Sequence, residues 1–350
     1  MTEDRRPMTD GRPPTGDPRP SPVVCRPSPV VGLVSTIIPV YNRAGMLREA
    51  VASVLDQSYR PIEIIIVDDG STDETALGAD ELGKTHPQEI SVIHQSNTGP
   101  GRAREAGRQM ARGEFIQYLD SDDLLLPEKF RKQVAGLRAH PECGVSYGKT
   151  RYRRVDGWTE PGAWKGSGVK VERMFPSFLL SRWWDTPTPL YRASVCEQAG
   201  PWTDLRLEED WEYDCRVASL GVRLDYCDEF VVEVCDHNES RLCKGEALEA
   251  DRMRERARAH SLILAHARKA DLNEDSPEMQ QFARELFLLS RQCGAAGLVQ
   301  ESRELFSLAR EASGKARGNK WDFRLYRLLA NIAGWARLGK MACYSDSVRK

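Results

Sequence analysis

The chain has 350 residues, 40% of them hydrophobic and 29% charged, with a formal net charge of −2. That is the composition of a folded globular protein long enough for one large α/β domain and a smaller attachment. Near-neutral charge gives no global field to recruit nucleic acid, and no apolar run approaches the ~20 residues of a membrane span.

Nine cysteines are scattered without a CxxC pair. They read as reduced thiols of a cytoplasmic chain and not as a disulfide framework. Cys227, Cys235 and Cys243 recur around His237, so a zinc site is one expectation there, although the spacing matches no usual ligand pattern. Residues 1–30 are rich in Pro, Arg, Thr and Asp and lack the apolar segment of a signal peptide. Such a stretch cannot bury enough apolar surface to offset its ordering entropy, and a disordered tail is expected.

From Gly32 the character changes. "LVSTIIPVYN" reads as a buried strand stopped by Pro39, and "MLREAVASVLDQS" as a helix with Leu47, Val51, Val54 and Leu55 on one face. "IEIIIVDDG" and "ISVIHQSN" are the next strands, "GPGRAREAGRQMARG" a helix, and "FIQYLDSDD" a fourth strand. Strands alternating with helices predict a mostly parallel sheet covered on both faces, with ligands bound outside the carboxyl ends of the strands. Polar residues collect at those ends: Tyr41 and Asn42, Asp68 and Asp69, Asn97, then Asp120 to Asp123.

Residues 143–235 read as mixed, with an acid-headed helix in "LRLEEDWEYDCRVASLG" and closing strands in "VRLDYCDEFVVEV". Beyond about Ala247 the pattern is helical. "ARELFLLSR" and "SRELFSLAR" repeat as a hairpin, too few copies for a solenoid. "WDFRLYRLLANIAGWARLGKMA" places Leu325, Leu328, Leu329, Ile332 and Trp335 on one stripe of a basic amphipathic helix, a candidate for membrane or subunit contact.

An isolated "DSDD" reads as a helix cap and a solvated turn. Its place among polar strand ends points instead to a divalent cation, Mg²⁺ or Mn²⁺, shared with a diphosphate ligand. No GxxxxGK[ST] loop is present and no GxGxxG follows the first strand, which weakens ATPase and dinucleotide readings.

"VSTIIPVYNR", "IIIVDDGSTDET", "NTGPGRARE", "YLDSDDLLLPEKF" and "LEEDWEYDCRVASLG" together resemble the successive signatures of family 2 glycosyltransferases, inverting enzymes of GT-A type fold. The resemblance covers about Val34 to Ser240. With the composition and periodicity of the two ends, three segments are expected: the disordered tail 1–30, a GT-A type domain over 31–246 that the resemblance implies, and a C-terminal α-helical extension over 247–350. The resemblance implies that Pro39, Tyr41 and Asn42 line a nucleotide pocket, and that Asp69, beside Asp68, accepts from the base. Arg104 would approach the nucleotide, although Glu105 stands where the family usually has Asn. Asp120 would face the ribose or a metal-bound water. Asp122 would bind the metal and diphosphate, with His237 closing over them. Asp210 would be the catalytic base and Glu209 its partner, where a bland reading has acids favoured by a helix N-terminus. Trp183 and Trp184 fall in the acceptor-facing segment, where they either stack on sugar rings or pack locally.

The resemblance thus implies metal-assisted transfer of a sugar from a nucleotide-diphosphate donor, a UDP-sugar first, to a saccharide or lipid-linked saccharide hydroxyl. No Gln-x-x-Arg-Trp signature is present, so the transfer is expected to be non-processive, in synthesis of cell-surface polysaccharide or glycoconjugate. Two alternatives stand: a non-catalytic nucleotide-sugar-binding or scaffold protein built on the C-terminal helices, and a sugar nucleotidyltransferase, for which the first loop is poor in Gly and Arg. The expected location is cytoplasmic, with peripheral contact at the cytoplasmic face of the membrane or a homodimer through the C-terminal helices.

Overall fold

The computed structural model describes residues 28–237, 248–318 and 321–348. Most of the expected tail, and the segment 238–247 with Cys243, lie outside the described residues. The order of elements is β1 (Val30–Val40), α1 (Ala44–Leu55), β2 (Ile62–Asp68), α2 (Thr75–Thr85), β3 (Ile90–His94), α3 (Pro100–Met110), β4 (Gly113–Tyr118), β5 (Leu124–Leu125), α4 (Lys129–Ala139) and β6 (Cys143–Arg153). After a 3₁₀ turn at Ser177–Leu179 come β7 (Leu190–Arg192), α5 (Ala193–Ala199), α6 (Glu209–Ala218) and β8 (Arg223–Cys235). The helices α7 (Ala250–Lys269), α8 (Pro277–Ala295), α9 (Val299–Ala312), α10 (Gly314–Gly318), α11 (Trp321–Ala333) and α12 (Trp335–Val348) complete the chain.

The strands form one sheet in the order β3-β2-β1-β4-β7-β6-β8-β5. β1 pairs in parallel with β2 and β4, and β2 with β3. The carboxyl ends of these four strands therefore share one edge, which brings the polar residues together. β7 runs antiparallel to β4 and β6, and β6 runs parallel to β8.

The apolar runs of the parallel strands supply both faces, as a doubly covered sheet requires. Ile62, Ile64 and Ile66 of β2 enter one core cluster with Val34, Ile38 and Phe115. Ile65 and Val67 enter the other with Ile37, Ile116 and Tyr118. Helix residues Leu47, Val51, Val134 and Leu137 close the first face, while Ala103, Tyr213 and Val217 close the second.

Two boundaries differ from the sequence reading. β1 begins at Val30, whose N–H donates to Arg112 O at 2.8 Å, so the last residue of the expected tail is strand. Pro39 also does not stop β1, which continues to Val40 with Pro39 opposite Val67. Ile37 O accepts from Leu119 N on the β4 side, while Val40 O accepts from Asp69 N on the β2 side. By alternation the missing N–H of Pro39 faces the β4 side, where β4 has already ended, so no ladder bond is lost.

The C-terminal helices share a third core with the α/β part: Leu179 of the 3₁₀ turn and Cys215 of α6 are buried with Met253, Leu264, Phe282 and Leu286. α8 starts at Ser276, whose side chain accepts from Met279 N, with Pro277 in the first turn. It ends in a Schellman turn, in which Leu298 N donates to Cys293 O and Gly297 N to Gly294 O, with Gly297 at φ +84°. α9 then returns, so the repeated segments are the two arms of a hairpin. The expected amphipathic helix at the C-terminus is broken. Gly334, at φ +90°, separates α11 from α12. Trp335 is buried in the third core, and so leaves the stripe that Leu325, Leu328, Leu329 and Ile332 keep exposed.

Packing of α3 on the sheet depends on a glycine. A Cβ at Gly107 would press into Ile37 Cγ2 of β1 and meet Val67 Cγ2 at 3.2 Å. Helix propensity alone favours Ala over Gly by about 1 kcal/mol, but overpacking a tight core costs about 1–3 kcal/mol. Gly107→Ala is expected to destabilise the protein despite its better helix former; a urea midpoint that rises would show that α3 can move off the sheet freely.

Candidate functional site

The loops after β1 and β2 are stitched together. Asn42, in a left-handed conformation at φ +52°, donates its backbone N–H to Ser71 Oγ at 3.0 Å, and its Oδ1 accepts from Thr72 N at 2.7 Å. Tyr41 is exposed at the sheet edge, whereas Pro39 is buried within the strand and does not line an open surface. Asp68 accepts from Ser71 N at 3.0 Å and stands 3.0 Å from His94 Nδ1. Asp69 is buried and accepts from Gln95 Nε2 at 2.7 Å, Thr98 N at 2.9 Å and Gly99 N at 2.8 Å. Three of its roughly four acceptor positions are therefore used in shaping the loop before α3, and one on Oδ2 remains.

The acid cluster after β4 is balanced by groups from distant elements. Arg104 of α3 is buried and donates to Asp120 Oδ1 at 2.6 Å and to Glu209 Oε1 at 2.8 Å. Its guanidinium lies 4.9 Å from the ring centroid of Trp202. Glu105 accepts both donors of Arg108 at 2.7 Å and lies 3.2 Å from Trp202 N, a packing role for the residue that departs from the family pattern. Asp122 forms an ion pair with Arg43 and stands 2.8 Å from His237 Nε2. Burial works to raise the Asp122 carboxyl, but Arg43 and His237 outweigh it and hold the group below its usual range. Asp123 is buried, accepts from Cys235 N at 3.1 Å, and is pushed well up by burial and by the charges of Asp122 and Asp120.

Asp122 and His237 are the residues that could share a cation. The ring Nδ1 of His237 is buried without a hydrogen-bond partner among the described residues. Among those residues no group of three or more His, Cys, Asp or Glu is placed to hold a metal. A cation held by this pair would replace the direct contacts of Asp122 with His237 and Arg43 and would take its other ligands from phosphate and water, not from an all-protein cage. The zinc expectation fails on geometry. Cys227 and Cys235 lie eight residues apart on β8, roughly 26 Å at strand rise, and His237 faces Asp122.

The acid-headed helix α6 brings the second half of the site. Its cap residue Glu208, at φ +59°, accepts from Arg256 Nε at 2.9 Å and lies 3.0 Å from His260 Nδ1, both on α7. Asp210 keeps 30% of its side chain exposed, against 9% for Glu209. Asp210 accepts from Trp211 N at 2.7 Å and is ion-paired with Arg182, which also donates to Asp214 at 2.8 Å. Asp214 accepts in addition from Trp184 Nε1 at 3.1 Å and Tyr191 OH at 2.9 Å. Trp184 is fully buried, so it packs locally and offers no face to a sugar; Trp183 is half-buried and stacks on Phe178.

The two neighbouring carboxyls are driven apart. Burial, then the charge of Asp210, pushes Glu209 up to about 7, against the pull of Arg104. Burial also works to raise Asp210, but Arg182 and Arg104 prevail and hold it below its usual range. Asp210 is thus ionised at neutral pH and partly reachable, while Glu209 is enclosed and holds a proton more readily than an ordinary glutamate. Arg43, Arg182 and Asp214 were not singled out in the sequence. Arg43 is adjacent to Asn42 and could have been; Arg182 stands 28 residues from Asp210 with no spacing to betray the contact.

The Glu209 value has a sign. Its folded-state pKa lies above its ordinary 4.5, so its contribution to stability is complete below about 4.5 and is lost as pH rises through about 7. Asp210→Asn removes a charge that helps raise Glu209. The fall in melting temperature attributable to Glu209, read as the difference from Glu209→Gln in the same background, is expected to move to lower pH in the variant. Superimposable difference profiles with and without Asp210 would disprove the coupling.

Comparison with known proteins follows this geometry. Residues 35–194 match the family described as Glycosyl transferase family 2. A segment of 123 residues is 39% identical to an uncharacterized glycosyltransferase of Rickettsia felis, over 35% of this chain and 20% of that protein. Another of 129 residues is 40% identical to the glycosyltransferase GlyG of Streptococcus pneumoniae, over 36% of this chain and 42% of that one. The matched segments therefore span between a fifth and about two fifths of these relatives. The crystal structure of S. aureus TarS 1-349 in complex with UDP-GlcNAc superposes with a TM-score of 0.63 at 18% identity, over 89% of this chain and 92% of that chain. That likeness is one of fold and extends through the C-terminal helices. Residues 35–194 are thus similar to glycosyl transferase family 2, and the chain carries them on a GT-A type α/β fold.

Proposed function

We propose that the protein transfers a sugar from a nucleotide-diphosphate-sugar to an acceptor hydroxyl, with inversion at the anomeric carbon. The observation that carries this reading is the Arg104 bridge, which joins Asp120 at the donor edge of the sheet to Glu209 at the start of α6. It sets the partly exposed Asp210 beside the strand ends where a nucleotide would lie. The match of residues 35–194 to a glycosyl transferase family favours sugar transfer over the scaffold and nucleotidyltransferase readings. TarS in complex with UDP-GlcNAc, at the level of fold, supports a UDP-sugar as the first donor to test.

Tyr41, Asn42, Asp68 and Asp69 border the nucleotide pocket in this reading, with the remaining acceptor position of Asp69 open to a base N–H. Arg104 holds Asp120 toward the ribose. Asp122 and His237 would hold a divalent cation, which supplies charge neutralisation to the departing diphosphate. Asp210 takes the proton of the acceptor hydroxyl as that oxygen bonds to the anomeric carbon. The bond from that carbon to the diphosphate oxygen breaks on the opposite face, and the nucleoside diphosphate leaves with its electron pair. The Arg182 ion pair keeps Asp210 ionised and fixed in direction; its depressed basicity means orientation and leaving-group electrostatics supply much of the rate. The acceptor is a saccharide or lipid-linked saccharide, and the transfer adds sugars singly, in polysaccharide or glycoconjugate synthesis.

Asp210→Asn is expected to keep donor affinity and to slow transfer by about 10²–10⁴-fold, measured as nucleoside diphosphate released with an acceptor that the wild type glycosylates. Glu209→Gln is expected to cost less, because that carboxyl faces Arg104 and not the acceptor. A folded Asp210→Asn protein that transfers at the wild-type rate would remove Asp210 from the mechanism. Asp122→Ala is expected to abolish the Mn²⁺-dependent part of donor binding in titration calorimetry. Unchanged affinity with Mn²⁺ would show that the cation lies elsewhere.

A further inference from the structure

α11 is apolar on the wrong side for a helix that only packs on its own domain. Phe323 and Ala330 face the third core and are buried. Trp321, Leu325, Leu328, Leu329 and Ile332 lie on the opposite side, with Trp321 73% and Ile332 75% exposed. The turn at Gly334 brings α12 alongside, and its outward Met341 and Tyr344 are exposed as well. A groove of about 400 Å³ between these helices and α8 is lined by Trp321, Leu325, Leu329, Leu338 and Met341. Apolar surface grouped in this way marks a contact site, where scattered exposed residues would not.

The charges around this face choose its occupant. Exposed Arg324, Arg327, Arg337 and Lys340 stand in residues 321–345 against Asp322 alone, in a chain whose net charge is −2. A second copy meeting this face about a two-fold axis would bring the basic side chains of both copies together. An anionic lipid surface would accept the apolar stripe among its acyl chains and the guanidinium and ammonium groups among its headgroups. Among the described residues no helix is long and apolar enough to cross a membrane, so the contact is one of helices lying in the interface plane. We propose that α11 and the outward side of α12 seat the protein on an anionic lipid surface. No step of sugar transfer enters this inference.

The test floats the full-length protein with vesicles of phosphatidylcholine alone and of phosphatidylcholine mixed with phosphatidylglycerol. The protein is expected to rise with the anionic vesicles, to stay below with the neutral ones, and to be released by high salt. Reversing Arg324→Glu with Arg327→Glu is expected to weaken partitioning at least about ten-fold. Leu328→Glu with Ile332→Glu is expected to abolish it. All four positions are exposed, so both variants should melt like the wild type, and donor binding gives a second check on folding. A wild-type protein that stays below with anionic vesicles overturns the proposal. So does equal flotation of both variants, which would assign lipid binding to another basic segment. A lipid-free dimer that Ile332→Glu converts to monomer in sedimentation velocity would assign the face to a second copy instead.

Discussion

A buried guanidinium without compensation is among the most costly groups a protein can enclose. Arg104 is enclosed, and its two carboxylate partners come from chain segments that follow it by 16 and 105 residues. Folding α3 onto the sheet therefore has a condition: the end of β4 and the start of α6 must both arrive beside it. Either carboxylate alone would leave part of the fork facing apolar surroundings. The site is in this sense a by-product of neutralising one side chain, and its two halves cannot drift apart without exposing that cost.

The same logic resolves the acid cluster. Three carboxyls in four positions repel, yet each has a separate outlet. Asp120 has Arg104, Asp122 has Arg43 and His237, and Asp123 is driven toward its neutral form by enclosure. Around Asp210 the arrangement repeats with Arg182 shared between it and Asp214. Behind α6, Glu208 and Glu212 are held by Arg256, His260 and His266 of α7. Trp211 meets His260 and Phe282 edge-on. The C-terminal helices thus brace the helix that carries Glu209 and Asp210.

Much of this was legible in the sequence because its signals are local. Continuous β-branched runs give strands covered on both faces, glycine and proline mark their ends, and polar residues at four carboxyl ends must converge once the strands are parallel. Pro39 misled because its missing N–H counts only where a partner strand remains, and β4 stops short of it. Trp184 stays open between sugar stacking and local packing in the sequence, because only Asp214, thirty residues on, shows where its N–H goes. The amphipathic stripe at the C-terminus drew a straight line through Gly334, whose left-handed backbone turns Trp335 inward. Long-range partners such as Arg182 leave no trace in spacing at all.

The matched family segment stops at residue 194, sixteen residues before Asp210. The strand-end acids and Asp210 therefore come from successive stretches of chain, which share a core and a strand pairing and are bridged in the site by Arg104. A chimera that replaced everything after the first stretch would keep the strand ends of β1 to β4. It would hold together only if the incoming chain still offered a carboxylate to Arg104 and a strand edge to β6.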